Sequence, residues 1–365
     1  MIEAEGYPSL VYYREGDPSK PLVVFIPGGY HLARVFYGHS KGVTRDFAGY
    51  WLKKLGFPVL GVSYPLDHPV FGSLHPEMTV TDWSRMTAAI VSSTVKTRGL
   101  SNRVVFAGWS MAGRTAPTLN LFAMEKGLDV TGFISLAATP PLFLNADVTE
   151  DFRLAPNGMR EVLNPPESRR GHNRFCWIGK ALEELAEING RPVLDEDAYR
   201  REFCGNHPAN LNGEAVRYRS GALVKDMAGA VADMRCFEYG SYPMTACIVP
   251  DSPNDLRHAL SDVSTWTFIN HHQMLWQMRS KKTGCSFNPD NFRIKMIKDI
   301  FQSLPEVLVK HVHGNHLFFL GEAGARSTAR AIAELIDVLD NIKQKLYRSA
   351  LPGADAKRKS KNDKT

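Results

Sequence analysis

The stretch Gly108-Trp109-Ser110-Met111-Ala112-Gly113 constrains this chain more than any other. The apolar run Arg103-Val104-Val105-Phe106-Ala107 leads directly into it, and a helix-forming stretch, Arg114 to Lys126, follows. Strand, sharp turn and helix, with a serine at the tip, is the local context that presents a hydroxyl nucleophile. Such a turn holds the serine in a strained backbone conformation, so residues two before and two or three after it must be small. Gly108, Ala112 and Gly113 meet that need. A glycine-lined turn with an ordinary serine is the plainer alternative; the flanking strand and helix argue against it.

The rest of the chain alternates in the same way. Strands are expected at Leu10 to Tyr13, Pro21 to Ile26, Pro58 to Ser63, Thr131 to Ala137, Met244 to Val249 and Val307 to Val312. Continuous apolar runs such as Leu22-Val23-Val24-Phe25-Ile26 suit strands buried on both faces, as in a parallel sheet. Helices are expected at Asp46 to Leu55, Thr81 to Thr97, Val263 to Arg279, Asn291 to Phe301 and Ser327 to Tyr347. In the last, Ile332, Leu335, Leu339, Ile342 and Leu346 form one apolar stripe. The class is α/β, a mostly parallel sheet flanked by helices.

Between about Leu144 and Met234 the alternation stops. Charge rises, helical stretches run Gly179 to Ile188 and Ala222 to Ala232, and no buried strand is evident. This predicts a helical lid inserted over one end of the sheet. The chain thus divides into core residues 1–143, a lid at 144–234, a second core part at 235–350 and a basic disordered tail at 351–365. The lid carries Phe175, Trp177, Ile178, Leu182 and Leu185, more apolar surface than a solvated helix needs. Part of it packs the lid onto the core, and the rest is expected to line an apolar acyl pocket.

Charge and cysteine usage narrow the partners. The formal charge of +6 owes half its excess to the tail, where Lys357, Arg358, Lys359, Lys361 and Lys364 face only Asp355 and Asp363. The body is near neutral and offers no nucleic-acid surface. Five widely spaced cysteines without a CxxC pair argue against a disulfide framework or a zinc site. The acidic start has no apolar signal segment, and no apolar run is long enough to span a bilayer. The expectation is a cytoplasmic protein without a membrane span, its oligomeric state open.

A serine hydroxyl needs a base within hydrogen-bond reach and an acid to orient that base. His316 stands in the loop His313-Gly314-Asn315-His316, directly after the last strand and on the sheet edge of the serine turn. His311 and His313 read as packing or surface residues, and His258, His271 and His272 fall in helical or loop segments. The acid should follow the strand ending at Val249, where Pro250-Asp251-Ser252-Pro253-Asn254-Asp255 offers two carboxylates. Asp255 is preferred because it closes a Ser-x-x-Asp turn; Asp251 is the second choice, and either could be a turn former. Oxyanion donors would be the N–H of Tyr30 or Gly29, in Pro27-Gly28-Gly29-Tyr30, paired with that of Met111. Trp109, Phe175 and Trp177 are the expected substrate contacts.

Taken together, the Pro27-Gly28-Gly29-Tyr30 turn, the Ser63-Tyr64-Pro65 strand exit, the serine turn, the post-strand aspartate and the Gly314-Asn315-His316 loop resemble the α/β-hydrolase superfamily. The order Ser, Asp, His is that family's order. The resemblance implies an acyl-enzyme mechanism on a small-molecule ester or thioester, with no metal or organic cofactor. Gly-Trp-Ser-x-x-Gly also resembles thioesterases that release polyketides and peptides, or a related acyltransferase. Ala112 replaces their usual second glycine, and no carboxylate follows the strand ending at Ala137. Pro27 stands where a hormone-sensitive-lipase type of esterase has histidine. A non-catalytic ligand-binding protein on the same fold is the remaining alternative.

Overall fold

The structure is a computed structural model that describes residues 1–142, 153–163, 174–279 and 291–350, with backbone alone at 174–176, 291–294, 296 and 347–350. The expected basic tail at 351–365 lies outside the described residues. The strands in chain order begin with β1 (Ile2–Ala4), β2 (Tyr7–Ser9), β3 (Val11–Arg14), β4 (Leu22–Ile26), β5 (Val59–Val62) and β6 (Arg103–Trp109). There follow β7 (Asp129–Leu136), β8 (Val216–Arg219), β9 (Ala222–Lys225), β10 (Thr245–Pro250) and β11 (Val309–Val312).

Seven strands form one sheet in the order β3-β5-β4-β6-β7-β10-β11. Only β3 runs antiparallel, against β5; the other pairs are parallel. Every residue of β4, β5 and β10 is buried, as their unbroken apolar sequences require when both faces are covered. One face is covered by the helix Val80–Thr97, which opens with a Thr79/Asp82 capping box and buries Trp83, Met86, Ile90 and Val91. The opposite face is covered by the helix Glu322–Ala350, whose Ile332, Leu335, Leu339 and Ile342 enter the second core layer. Each such side chain, fully buried, contributes about 1.5–3 kcal/mol of transfer free energy.

Three local differences from the sequence reading have physical causes. The hairpin β1–β2 was not expected; Glu5 and Gly6 form its two-residue turn, both at positive φ. The serine leads first into a 3-10 turn, Ser110–Thr115, and the α-helix Ala116–Glu125 begins only where Pro117 can sit in a first turn that needs no N–H. The stretch expected as a helix over Ala222 to Ala232 is instead strand β9 followed by the helix Met227–Met234. Ser220 and Gly221, at φ 50° and 88°, turn the chain back so that β9 pairs with β8. Asp226 then caps the new helix through the Gly229 N–H at 2.8 Å.

The described parts of 144–234 also contain the helices Arg174–Asn189 and Glu196–Phe203. The first meets the loops after β10 and β11, through Asn254 and Asn315. The second and the residues after it dock on the loops at the carboxyl ends of β4 and β5. The Leu32 N–H donates to Phe203 O and the Asp67 N–H to Asn206 O, each at 2.8 Å. Among the described residues, no helix is long and apolar enough to cross a membrane.

Candidate active site

The register Ile26↔Gly108 places the end of β4 beside the end of β6. Ser110, the first residue beyond β6, takes φ 53°, a left-handed conformation that a non-glycine residue holds only at a cost. The surrounding small residues are sterically compulsory. A Cβ on Gly108 would stand 2.4 Å from the Phe133 ring, and one on Gly113 2.3 Å from the Thr139 carbonyl oxygen. A Cβ on Gly28 would stand 2.8 Å from the Ser110 Cβ, so the β4 exit passes directly against the serine.

That exit is a four-residue turn, Gly28 to His31, closed by His31 N–H to Gly28 O at 3.4 Å. Tyr30 occupies its third position at φ 57°, where glycine is usual. Two buried side chains grip the turn from behind. The Tyr64 hydroxyl donates to Gly28 O at 2.7 Å. His31 Nδ1 donates to Gly29 O at 2.7 Å, which leaves Nε2 to accept from the Tyr199 hydroxyl at 2.5 Å. Burial keeps this imidazole neutral, pushing its pKa down to about 3. Because a trans peptide points its N–H opposite its C=O, the Tyr64 contact turns the Gly29 N–H away from Tyr64. The N–H groups of Tyr30 and His31 instead lie toward the Tyr64 hydroxyl.

His316 Nδ1 lies 2.7 Å from Asp255 Oδ2, both groups buried. The carboxylate therefore holds the imidazole with its proton on Nδ1 and leaves Nε2 as the basic nitrogen. Asp255 sits in the short turn Pro253–Asp255, where Ser252 Oγ accepts from the Asn254 N–H at 3.1 Å. Asp251 has a different partner: it accepts from the Gly314 N–H at 3.0 Å and pairs with the exposed His313 at 3.1 Å. Ser110 Oγ makes no hydrogen bond to His316.

Sequence reasoning missed several supports. Glu184, on the helix Arg174–Asn189, accepts from Asn254 at 2.6 Å and from Asn315 at 3.1 Å, tying the acid turn to the histidine loop. Burial alone would raise Glu184, but bonds from Asn254, Ser252 and Asn315 outweigh it and lower its pKa. Behind the Asp255–His316 pair, His258 stacks on the His316 ring at 5.0 Å and bonds Asp262 at 2.9 Å. Burial pushes His258 down to about 3 and Asp262 up to about 8. The spacing of His258 and Asp262 on one helix face, with His258 three residues past Asp255 in the preceding turn, was the available signal. Ligand-type atoms of Asp255, His258 and His316 lie within 4.8 Å of one another, so these residues could hold a cation, in competition with the His316–Asp255 bond.

Ser110, His316, Gly29, Tyr30, Met111 and Trp109 share one cavity of about 270 Å³. Its remaining wall is polar: Arg114, Thr139, Arg160, His207, Asn212, Glu214 and Arg257, with His31 beneath. Four of these come from the segment 144–234, yet they do not form the apolar acyl pocket expected of it. Ile178, Leu182 and Leu185 are spent on the core cluster instead. Trp177 packs against that core with its ring 5.6 Å from His316 and does not line the cavity. The side chain of Phe175 lies outside the described residues.

Ser110 follows β6, Asp255 β10 and His316 β11, all at one edge of a sheet ordered β3-β5-β4-β6-β7-β10-β11. The fold is that of an α/β-hydrolase. No protein-family model matches the chain, and no curated protein matches it. Solved structures of the hydrolase fold do. A carboxylesterase of the ammonia-oxidizing thaumarchaeon Nitrososphaera gargenis is 13% identical over 94% of this chain and 98% of its own, with a TM-score of 0.40. A thermophilic esterase from Thermogutta terrifontis is 12% identical over 90% and 93%, with a TM-score of 0.41. AqDC, described in recognition and ring-cleavage of the Pseudomonas quinolone signal, is 13% identical over 93% and 98%, with a TM-score of 0.45. The strand order and the left-handed serine turn of this chain are themselves those of the hydrolase fold.

Proposed function

We propose that this chain is a serine hydrolase that cleaves a carboxylic ester or thioester through an acyl-enzyme. The observation that carries the reading is the 2.7 Å Asp255–His316 bond in the loops flanking a cavity that His316 shares with the strained Ser110. Ser110 Oγ attacks the substrate carbonyl while His316 Nε2 takes its proton, and Asp255 stabilises the imidazolium. The oxyanion is held by the N–H groups of Gly29 and Met111. Gly29 is preferred to Tyr30 because the Tyr30 N–H lies toward Tyr64. Collapse of the tetrahedral adduct breaks the bond to the alcohol or thiol, which leaves with the proton from His316. Water then attacks the acyl-enzyme, with His316 again as base, and releases the acid and Ser110.

The segment 144–234 acts in this reading as a cover that supplies the polar wall of the cavity. Its Tyr199 and Glu184 also reach the two machine parts, through His31 to Gly29 and through Asn315 to the histidine loop. The test is turnover of a short neutral ester such as p-nitrophenyl acetate. Folded Ser110→Ala should lose on the order of 10⁴-fold in kcat, because triad members act as a unit. Wild-type-like turnover by that variant rejects the reading.

A further inference from the structure

The cavity beside Ser110 is lined by more cationic than anionic side chains. Arg114, four residues past the serine, is 7% exposed and lines the cavity. Its Nη1 is spent on the carbonyls of Pro140 and Leu142, each at 2.7 Å. Arg257 stands exposed at the cavity wall, and its Nη2 reaches only the Thr139 hydroxyl, at 3.4 Å. Among the described residues, neither guanidinium forms an ion pair with a carboxylate. Arg160, 2% exposed, adds a third guanidinium to the wall and bonds Asn212. Of the residues lining the cavity, one is a carboxylate, Glu214, whose Oε2 is buried without a hydrogen bond.

Burying like charges together is unfavourable unless something opposite joins them. Burial is the largest influence on Arg114 and lowers its pKa to about 10; Glu214 opposes the shift and Arg257 adds to it. At neutral pH the guanidinium is still charged, and Arg114 lines the cavity. A planar guanidinium pair suits the paired oxygens of a carboxylate or phosphate. The volume of about 270 Å³ is the liquid share of roughly nine waters, which suits a short substrate and not a long acyl chain.

We propose that the substrate of this hydrolase is a short ester bearing a second, anionic oxygen group, a carboxylate or phosphate, which seats against Arg114 and Arg257 beside Ser110. The inference rests on the hydrolase reading above and names its substrate class. The anionic group is bound and not transformed; only the ester bond breaks.

The test uses the full chain and the monomethyl esters of succinate, glutarate and adipate. Each is compared with its isostere in which a carboxamide replaces the free carboxylate. Methyl 3-phosphonopropanoate supplies the phosphate-like arm. The best anionic ester should exceed its neutral isostere in kcat/KM by about tenfold or more, as a charged hydrogen bond allows. The faster anionic arm identifies the group. Arg257→Gln, at an exposed position, should cut the anionic-to-neutral ratio about tenfold, and Arg114→Gln should do so where it folds. A ratio of one or less at every chain length overturns the inference, and so does a ratio that Arg257→Gln leaves unmoved. Turnover of the neutral isosteres in that case leaves the hydrolase reading standing. Turnover of no ester by folded protein removes both.

Discussion

The indole Nε1 of Trp109 donates to the main-chain carbonyl of His316 at 2.9 Å, a bond between residues 207 positions apart. The two rings lie 5.2 Å apart, and His31 meets the same indole edge-on at 4.7 Å. Trp109, directly before Ser110, thus ties down the loop that carries His316 and touches His31, which supports the Gly28–His31 turn. Sequence position alone made Trp109 a substrate contact. It does line the cavity, but its hydrogen bond serves the geometry of the site.

Replacing Trp109 with Phe keeps an aromatic ring and removes the donor. The His316 carbonyl then loses its buried partner, at a cost of about 1–3 kcal/mol in folding free energy. The histidine loop also loses its register, so kcat should fall about tenfold while KM changes little, because the lost contact orients the base and does not bind substrate. Urea denaturation and steady-state kinetics measure both. A change confined to KM would return Trp109 to the role of substrate contact.

Asp255→Asn should lower kcat on the order of 10²–10⁴-fold, since His316 would lose the acceptor that fixes its tautomer. Asp251→Asn should lower it little. Asparagine retains an oxygen for the Gly314 N–H, and the lost contact with His313 is exposed and of small value. The comparison is kinetic, on purified variants with matched circular dichroism. The opposite ranking would move the acid to Asp251.

Tyr64→Phe removes the hydroxyl that grips Gly28 O and aims the Gly29 N–H. The expected result is a fall in kcat of about tenfold or more with KM nearly constant, because the oxyanion forms only in the transition state. Unchanged kcat in the folded variant would show that the turn holds itself.

Much of this arrangement was legible in the sequence for identifiable reasons. Runs such as Leu22 to Ile26 are apolar at every position because both faces of the sheet are covered, so they declare themselves as strands. The serine turn is legible because Gly108 and Gly113 have no room for a Cβ. The meeting of Asp255 and His316 follows from their positions at strand ends. The polar cavity was not legible, because Arg160, His207, Asn212 and Glu214 come from a segment without periodicity and meet only in the fold. Phe175, Trp177 and Leu182 carried an apolar signal that described core packing as well as it described a pocket. At Ser220-Gly221 a turn signal was present, but the alanine-rich sequence after it read more strongly as helix.

The His258–Asp262 pair predicts a pH-dependent stability. In the folded chain Asp262 is raised to about 8 and His258 lowered to about 3, so the pair holds one proton between those limits. Unfolded, the two groups titrate at 3.8 and 6.5 and also hold one proton between those values. The pair's contribution is therefore flat across that range. Between pH about 6.5 and about 8 the folded pair keeps its proton and the unfolded pair has lost it. Stability should fall as pH rises through that window, on the order of 1–2 kcal/mol. Urea midpoints from pH 6 to 9 (roughly one proton's linkage) should show the slope in wild type and a flatter profile in Asp262→Asn. An equal slope in both would place the proton elsewhere.

The most direct measurement is intact-mass analysis after exposure to a small neutral fluorophosphonate, followed by peptide mapping. The account predicts one adduct per chain, on Ser110. It should form rapidly in wild type, form far more slowly in His316→Ala, and be absent in Ser110→Ala. Folded wild-type protein that stays unlabelled, or carries its adduct on another residue, would contradict the claim that Ser110 and His316 form a working nucleophile.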